Sequence, residues 1–306
     1  MAHSWLEQVD DDNSTADNTT IGNTTIWYTV PKVVATHLTA LIGVFSLRIA
    51  GRSFVRQSWG RSLPPDFRIW FLASASPVAD VARESAIHGD LMIFRLRESY
   101  SAAGLYSSLP LKALAFYDAA SRHASFEFLL KTDDDVFLNV PGVSEVLRLA
   151  PQRDCYAGYP YRGIKPDRRP WSKYRDLAFG RQENDTRTGL HRRAFRSRLE
   201  SAEEPSYPDY IDGIGELLSR DVVRCIARAL PTYTPPSPIA DVVTGHAALV
   251  RCSVRPRGYS RATREEQQRF ANGRLPGAQT IFSWHADRSI VVEPYRNRVR
   301  FSLLAH

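Results

Sequence analysis

The 306-residue sequence is poor in cysteine, with three, and in methionine, with two. Cys155, Cys225 and Cys252 leave one thiol over in a monomer, which excludes a small disulfide-stapled scaffold and leaves the pairing open. Long apolar runs are also missing. The most apolar stretch, 33–47, is interrupted by His37 and falls short of the roughly 20 residues that cross a bilayer, so it reads as buried structure. Residues 1–12 carry three consecutive aspartates and no apolar signal core, so no secretory route is expected from them. A basic arm is absent too: 40 Lys and Arg against 33 Asp and Glu give a formal net charge of +7, but the arginines are spread along the chain. Nucleic acid is therefore not the expected partner, although a basic nucleic-acid binder stays as an alternative. A nucleotide or sugar-nucleotide diphosphate uses the same cationic chemistry.

With 43% hydrophobic residues, a chain of this length buries a sizeable core. Residues 1–32 read as a polar stem or disordered segment, because Asn13-Ser14-Thr15, Asn18-Thr19-Thr20 and Asn23-Thr24-Thr25 place three N-glycosylation sequons close together, with a fourth at Asn184-Asp185-Thr186. If that stem is luminal, an upstream membrane anchor is absent from this chain. Residues 33–306 then form one catalytic domain.

Within it, apolar runs at 39–46, 68–73, 91–94 and 126–130 read as buried strands. They alternate with helical patterns at 52–59, at 77–87 and from a Ser108 cap to about Arg122. Such β-α repetition predicts an α/β, Rossmann-like fold with a mostly parallel central sheet, whose ligands lie beyond the carboxyl ends of the strands. At that place after the fourth strand stands Lys131-Thr132-Asp133-Asp134-Asp135, followed by Val136-Phe137-Leu138.

Three adjacent carboxylates between apolar runs repel one another unless a cation or water relieves them. Oxygen ligands suit Mg²⁺ or Mn²⁺ and leave coordination positions for nucleotide phosphates. In extended backbone Asp133 and Asp135 point one way and Asp134 the other, which makes the outer two the expected metal pair; a solvated acidic turn is the alternative.

Further on, 161–204 is polar and Arg-rich, which suggests a long excursion over the site, where Trp171 and Tyr174 either stack on a sugar or base or pin the loop. Tyr207-Pro208 leads to Gly213 and Gly215, useful where backbone must approach a ligand closely. A helix follows, capped at Ser219 and stopped by Pro231. Asp241, between apolar neighbours, is either a general base or a helix N-cap.

Taken in order, these segments resemble the β-1,3-galactosyltransferase-like family of inverting, UDP-sugar-dependent glycosyltransferases (family 31), of GT-A type fold. The resemblance rests on Arg52-Ser53-Phe54-Val55-Arg56-Gln57-Ser58-Trp59, on 128–137 with its Asp-x-Asp, on 207–219 with Gly213 and Gly215, and on Asp241-Val242 with Gly245. It implies transfer of galactose or N-acetylglucosamine from a UDP-sugar to a glycan hydroxyl in β-1,3 linkage, with Mn²⁺, in a Golgi type II membrane protein. By resemblance Asp133 and Asp135 bind the metal, Asp133 and Asp134 together with Arg52, Arg56, Gly213 and Gly215 hold the donor, and Asp241 is the base. His285 is the candidate for a late histidine completing the metal site. The sequence departs from the family motifs at Ala240, where a Glu is expected before Asp241, and at Glu216, where an aromatic is expected. Those departures keep a second expectation open, an inactive relative that binds UDP-sugar or a partner.

Overall fold

A computed structural model describes residues 14–31, 37–46, 48–74, 78–96, 102–164, 206–235, 239–258, 290–295 and 298–303. In chain order the elements are β1 (Ser14–Ile21), β2 (Thr24–Pro31), β3 (Leu38–Phe45), α1 (Ile49–Gln57), β4 (Phe67–Ser74), α2 (Val78–His88), β5 (Leu91–Phe94), α3 (Ala102–His123), β6 (Phe126–Asp133) and α4 (Val140–Leu149). Then follow β7 (Tyr156–Gly158), β8 (Pro160–Tyr161), β9 (Tyr210–Ile211), β10 (Glu216–Ser219), α5 (Arg220–Ala229), α6 (Ala240–Cys252), β11 (Arg257–Gly258), β12 (Ile290–Tyr295) and β13 (Arg298–Leu303).

The apolar runs of β3, β4, β5 and β6 are buried on both faces, as strands covered by helices on each side must be. They pair parallel in the order β5-β4-β3-β6. Side chains alternate between two cores. On one face Leu41, Trp70, Met92 and Leu129 pack with Phe116 of α3, Val223 of α5 and Val243 of α6. On the other, Ile42, Phe71, Ile93 and Leu130 meet Val55 of α1, Val81 of α2 and Val146 of α4. The single α/β domain with helices on both faces is as the sequence predicts. The flanks are different: β2 joins β5, and β10 joins both β6 and β7, all antiparallel.

Two expectations are corrected. Residues 14–31 are no disordered stem: they form the β1–β2 hairpin at one edge of the nine-stranded sheet. Threonine is β-branched and suits strands, and Ile26, Tyr28 and Val30 alternate inward beneath it. A two-residue turn at Gly22-Asn23, with Gly22 at φ 55°, closes the hairpin. The Arg122 guanidinium of α3 fixes it, donating 2.7 Å to the Asn18 carbonyl and also to Asp17 and the Tyr28 hydroxyl. The second correction concerns α3, which starts at Ala102 and runs through Pro110, so Ser108 is inside the helix and caps nothing.

Cys225 of α5 and Cys252 of α6 form a disulfide across 27 residues, and Cys155 is buried in β7's approach and takes no part in it. No described helix is long and apolar enough to cross a membrane. Closing a loop of that size restricts the unfolded chain by about 3 kcal/mol. A Cys225→Ser/Cys252→Ser double variant is therefore expected to lose about that much unfolding free energy in urea titrations, and an equal midpoint for both proteins without reductant would refute the bond.

Candidate active site at the carboxyl end of the parallel strands

Strand β6 carries the acidic triplet. It runs beside β3 with Phe45 opposite Asp133, so Asp133 is the last strand residue and Asp134 begins the turn beyond it. The turn is held from three sides. The Asp134 amide donates to the Phe45 carbonyl at 3.0 Å, the Val136 amide to the Asp133 carbonyl at 3.2 Å, and the Trp59 indole to the Val136 carbonyl at 3.0 Å. The Asp134 side chain turns toward α1: it accepts from the Ser46 hydroxyl at 2.6 Å and lies where a Cβ on Gly51 would stand only 2.1 Å from it. Glycine at 51 is what lets α1 start against this carboxylate.

Asp133 faces the other way. Burial pushes its carboxyl up to about 7; Lys131 opposes that push, and Asp241, Asp135 and Asp134 add to it. Burial also raises Asp134, to about 6, against the Ser46 hydrogen bond. Asp135 is exposed. Crowding of like charges around Asp133 is what a divalent cation relieves, and Asp133 and Asp135 offer the hard oxygens that Mg²⁺ or Mn²⁺ takes when it shares coordination with phosphate. Among the described residues no group of three or more His, Cys, Asp or Glu is placed to hold a metal. His285, Trp171 and Tyr174 lie outside the described residues.

Lys131, two residues before Asp133, connects the triplet to Asp241. Its ammonium is buried, 2.9 Å from Asp241 Oδ1 and 3.3 Å from Glu216 Oε2. Burial alone would lower its basicity, but Asp241, Glu216 and Asp133 outweigh that and raise it. Asp241 is the second residue of α6, whose N-cap is Ile239, so it is not the cap; the helix N-terminus still favours a carboxylate there. Its other oxygen accepts from the Gly213 amide at 3.0 Å, and a Cβ on Gly213 would come within 2.5 Å of the carboxylate. The loop bearing Gly213 and Gly215 is tied to β6 by the Thr132 hydroxyl, 2.9 Å from the Ile214 carbonyl. With its side chain 25% exposed, Asp241 is open to a ligand while its two partners fix its direction.

Arg52 and Arg56, expected at the donor, are committed elsewhere. Arg52 pairs with Glu84 through two nitrogens and reaches the Ser46 hydroxyl at 3.3 Å. Arg56 bonds Glu84 at 2.7 Å and forks onto Asp90 at 2.8 and 2.6 Å. Their i, i+4 spacing does put them on one face, but that face is buried against α2 rather than solvated, and it orients Asp134 through Ser46. The sequence reading gave Lys131, Ser46, Trp59 and Glu84 no role. Lys131 was detectable as a lone cation inside an apolar strand; Glu84 was not, because its partners are 28 and 32 residues away. A cavity of about 660 Å³ lined by Arg122, Arg153, Arg220, Arg224 and Arg228 is not this site. Arg220 follows Ser219, which pairs with Phe128 near the start of β6.

Residues 50–256, more than half of the chain, match the model of the galactosyltransferase family, and the chain belongs to that family. It is similar to canine beta-1,3-galactosyltransferase 4, 28% identical over 64% of this chain and 57% of that one. It is also similar to a human acetylgalactosaminyl-O-glycosyl-glycoprotein beta-1,3-N-acetylglucosaminyltransferase, 29% identical over 74% of this chain and 54% of the other. The chain thus spans a little over half the length of these relatives.

Glu84 is buried between two guanidinium groups, so Glu84→Gln is expected to cost about 3 kcal/mol of unfolding free energy. Burial would raise this carboxyl, but Arg52 and Arg56 outweigh it and hold it below 4.5. A depressed carboxyl stabilises the fold fully above its unfolded value and loses that contribution as pH falls through the folded one. The gap between wild type and Glu84→Gln should therefore be constant from pH 7 to 5 and narrow below about 4.5; a gap that widens in acid would contradict the pairing.

Proposed function

We propose that the protein is an inverting hexosyltransferase that moves galactose or N-acetylglucosamine from a UDP-sugar to a glycan hydroxyl in β-1,3 linkage. The observation that carries this is Asp241, a partly exposed carboxylate held by Lys131 and Gly213 near the half-buried Asp133. Membership of the family and the names of the two relatives support the reaction class.

In this reading Asp241 accepts the proton of the acceptor hydroxyl. The hydroxyl oxygen then forms its bond to the anomeric carbon from the face opposite the breaking bond to UDP, which inverts that centre. Asp133 and Asp135 would hold Mn²⁺, which would supply positive charge to neutralise the leaving diphosphate. Lys131 keeps the base and the acidic pair apart while touching the base directly. Gly213 leaves room for Asp241 and, with Gly215, lets backbone approach the donor. Arg52 and Arg56 serve the donor indirectly, by setting α1 and Ser46 against Asp134. The Cys225–Cys252 bond supports an oxidising compartment, in keeping with a Golgi lumen.

UDP release from a panel of UDP-sugars with Mn²⁺ tests the reading. Asp241→Asn is expected to reduce turnover by at least about a hundredfold, the order seen when an essential acid–base group is removed, and Asp135→Asn to reduce it by a similar factor by weakening the metal that stabilises the leaving diphosphate. A folded wild-type protein that neither binds nor turns over any of the donors would sink it; UDP and Mn²⁺ binding without Asp241-dependent transfer would leave a binding protein instead. Gly213→Ala drives a methyl into the Asp241 carboxylate and should lower kcat about tenfold to a hundredfold, since a shift of about 1 Å at a catalytic group has that effect; wild-type kcat in this variant would mean that Asp241 does not act from the observed position.

A further inference from the structure

We propose that Glu216 is a positioning residue for Asp241, acting through Lys131; this rests on Asp241 being the base of the proposed transfer.

Glu216 is fully buried at the start of β10, directly across the antiparallel ladder from Lys131, and one of its carboxylate oxygens, Oε1, has no hydrogen-bond partner among the described residues. The residues after it, Leu217 and Leu218, are buried and apolar. A buried carboxylate with an oxygen left unpaired carries a desolvation cost that its partners must offset. What Glu216 touches accounts for its presence.

Its Oε2 lies 3.3 Å from Lys131 Nζ and 3.1 Å from the Tyr117 hydroxyl. Lys131 Nζ is in turn 2.9 Å from Asp241 Oδ1. From Tyr117 the contacts continue to Thr244 Oγ1 at 3.0 Å, and from Thr244 to the carbonyl oxygen of Ala240 at 3.1 Å. Ala240 is the residue covalently attached to Asp241, so the contacts close into a ring that leaves α6 at Asp241 and returns to it one residue earlier. An ammonium has three donors on a flexible stem and by itself orients nothing. With Glu216 on one side and Asp241 on the other, Lys131 has a fixed axis, and that axis sets where Asp241 Oδ1 stands. Glu216 does not reach the surface and touches no reacting atom.

The chain also carries Glu216 and Ala240 where the family motifs have an aromatic and a Glu.

The test compares wild type, Glu216→Leu and Asp241→Asn for donor-dependent UDP release, UDP affinity by calorimetry in Mn²⁺, and thermal midpoint. Glu216→Leu is expected to lower kcat about tenfold or more, in the range found when groups supporting an active-site ligand are removed. UDP affinity should stay within about twofold, while the thermal midpoint falls because Lys131 loses one of its buried partners, so kcat is read per folded molecule well below either midpoint. A purely structural Glu216 predicts the same lower midpoint with wild-type kcat per folded molecule. Unchanged kcat in Glu216→Leu, or a loss explained by its unfolded fraction, overturns the proposal while Asp241→Asn still abolishes transfer. Full activity in Asp241→Asn, or none in wild type, overturns the assignment of the base and this proposal with it. If Glu216→Leu fails to fold, Glu216→Gln carries the test: it keeps the volume and an acceptor but not the charge, and a kcat loss of about threefold with unchanged UDP affinity is the expected result.

Discussion

One buried ammonium organises this end of the molecule. Lys131 sits on the central parallel sheet with its charge out of water, and a buried cation persists only where carboxylates surround it. Three do so, from three separate elements: Asp133 from its own strand, Glu216 from the antiparallel neighbour β10, and Asp241 from α6. Neither β10 nor α6 is a sequence neighbour of β6, so their approach to it needs a reason beyond apolar packing. The ion pairs supply one, and Thr132 adds a second tie by holding the Ile214 carbonyl.

A second polar cluster does for α1 what Lys131 does for α6. Arg52, Arg56, Glu84 and Asp90 join α1 to α2 and to the residue leading into β5. Through Ser46 the cluster also reaches Asp134, and Trp59, just beyond α1, holds the turn after the triplet. The motif at 52–59 therefore works as architecture. Its arginines and tryptophan fix the backbone on which Asp133 and Asp135 are displayed, and removing Glu84 would strip the buried Arg52 of its carboxylate and leave Arg56 with Asp90 alone.

Much of this was legible in the sequence and some was not, for identifiable reasons. The four central strands announced themselves as continuous apolar runs, which a strand covered on both faces must be. Asp133 and Asp241 were found because carboxylates between apolar residues violate the ordinary pattern. The β1–β2 hairpin was misread because its Thr- and Asn-rich composition resembles a linker, while the alternation of Ile26, Tyr28 and Val30 that buries it falls in the second strand only. Helical spacing placed Arg52 and Arg56 on one face, but no local signal identified what that face meets. Glu216 appeared only as a departure from a motif; its meaning depends on the antiparallel register that sets it opposite Lys131, and register between distant strands is not written in either strand alone.

The placement of Lys131 also bears on how one pocket supports two kinds of carboxylate. In the proposed reaction Asp133 belongs with the leaving diphosphate and Asp241 with the incoming hydroxyl, so the two must not act as one acidic cluster. Left alone they would repel, as neighbouring carboxylates do. Of these two, Lys131 pairs with Asp241, at 2.9 Å, while burial and the remaining carboxylates push Asp133 up to about 7. Charge on Asp133 is then favoured when a cation arrives, and charge on Asp241 is already matched by the ammonium. The same lysine that assembles three elements thereby divides the acids between the two sides of the sugar. A net charge of +7 spread over the chain says nothing of this local arrangement.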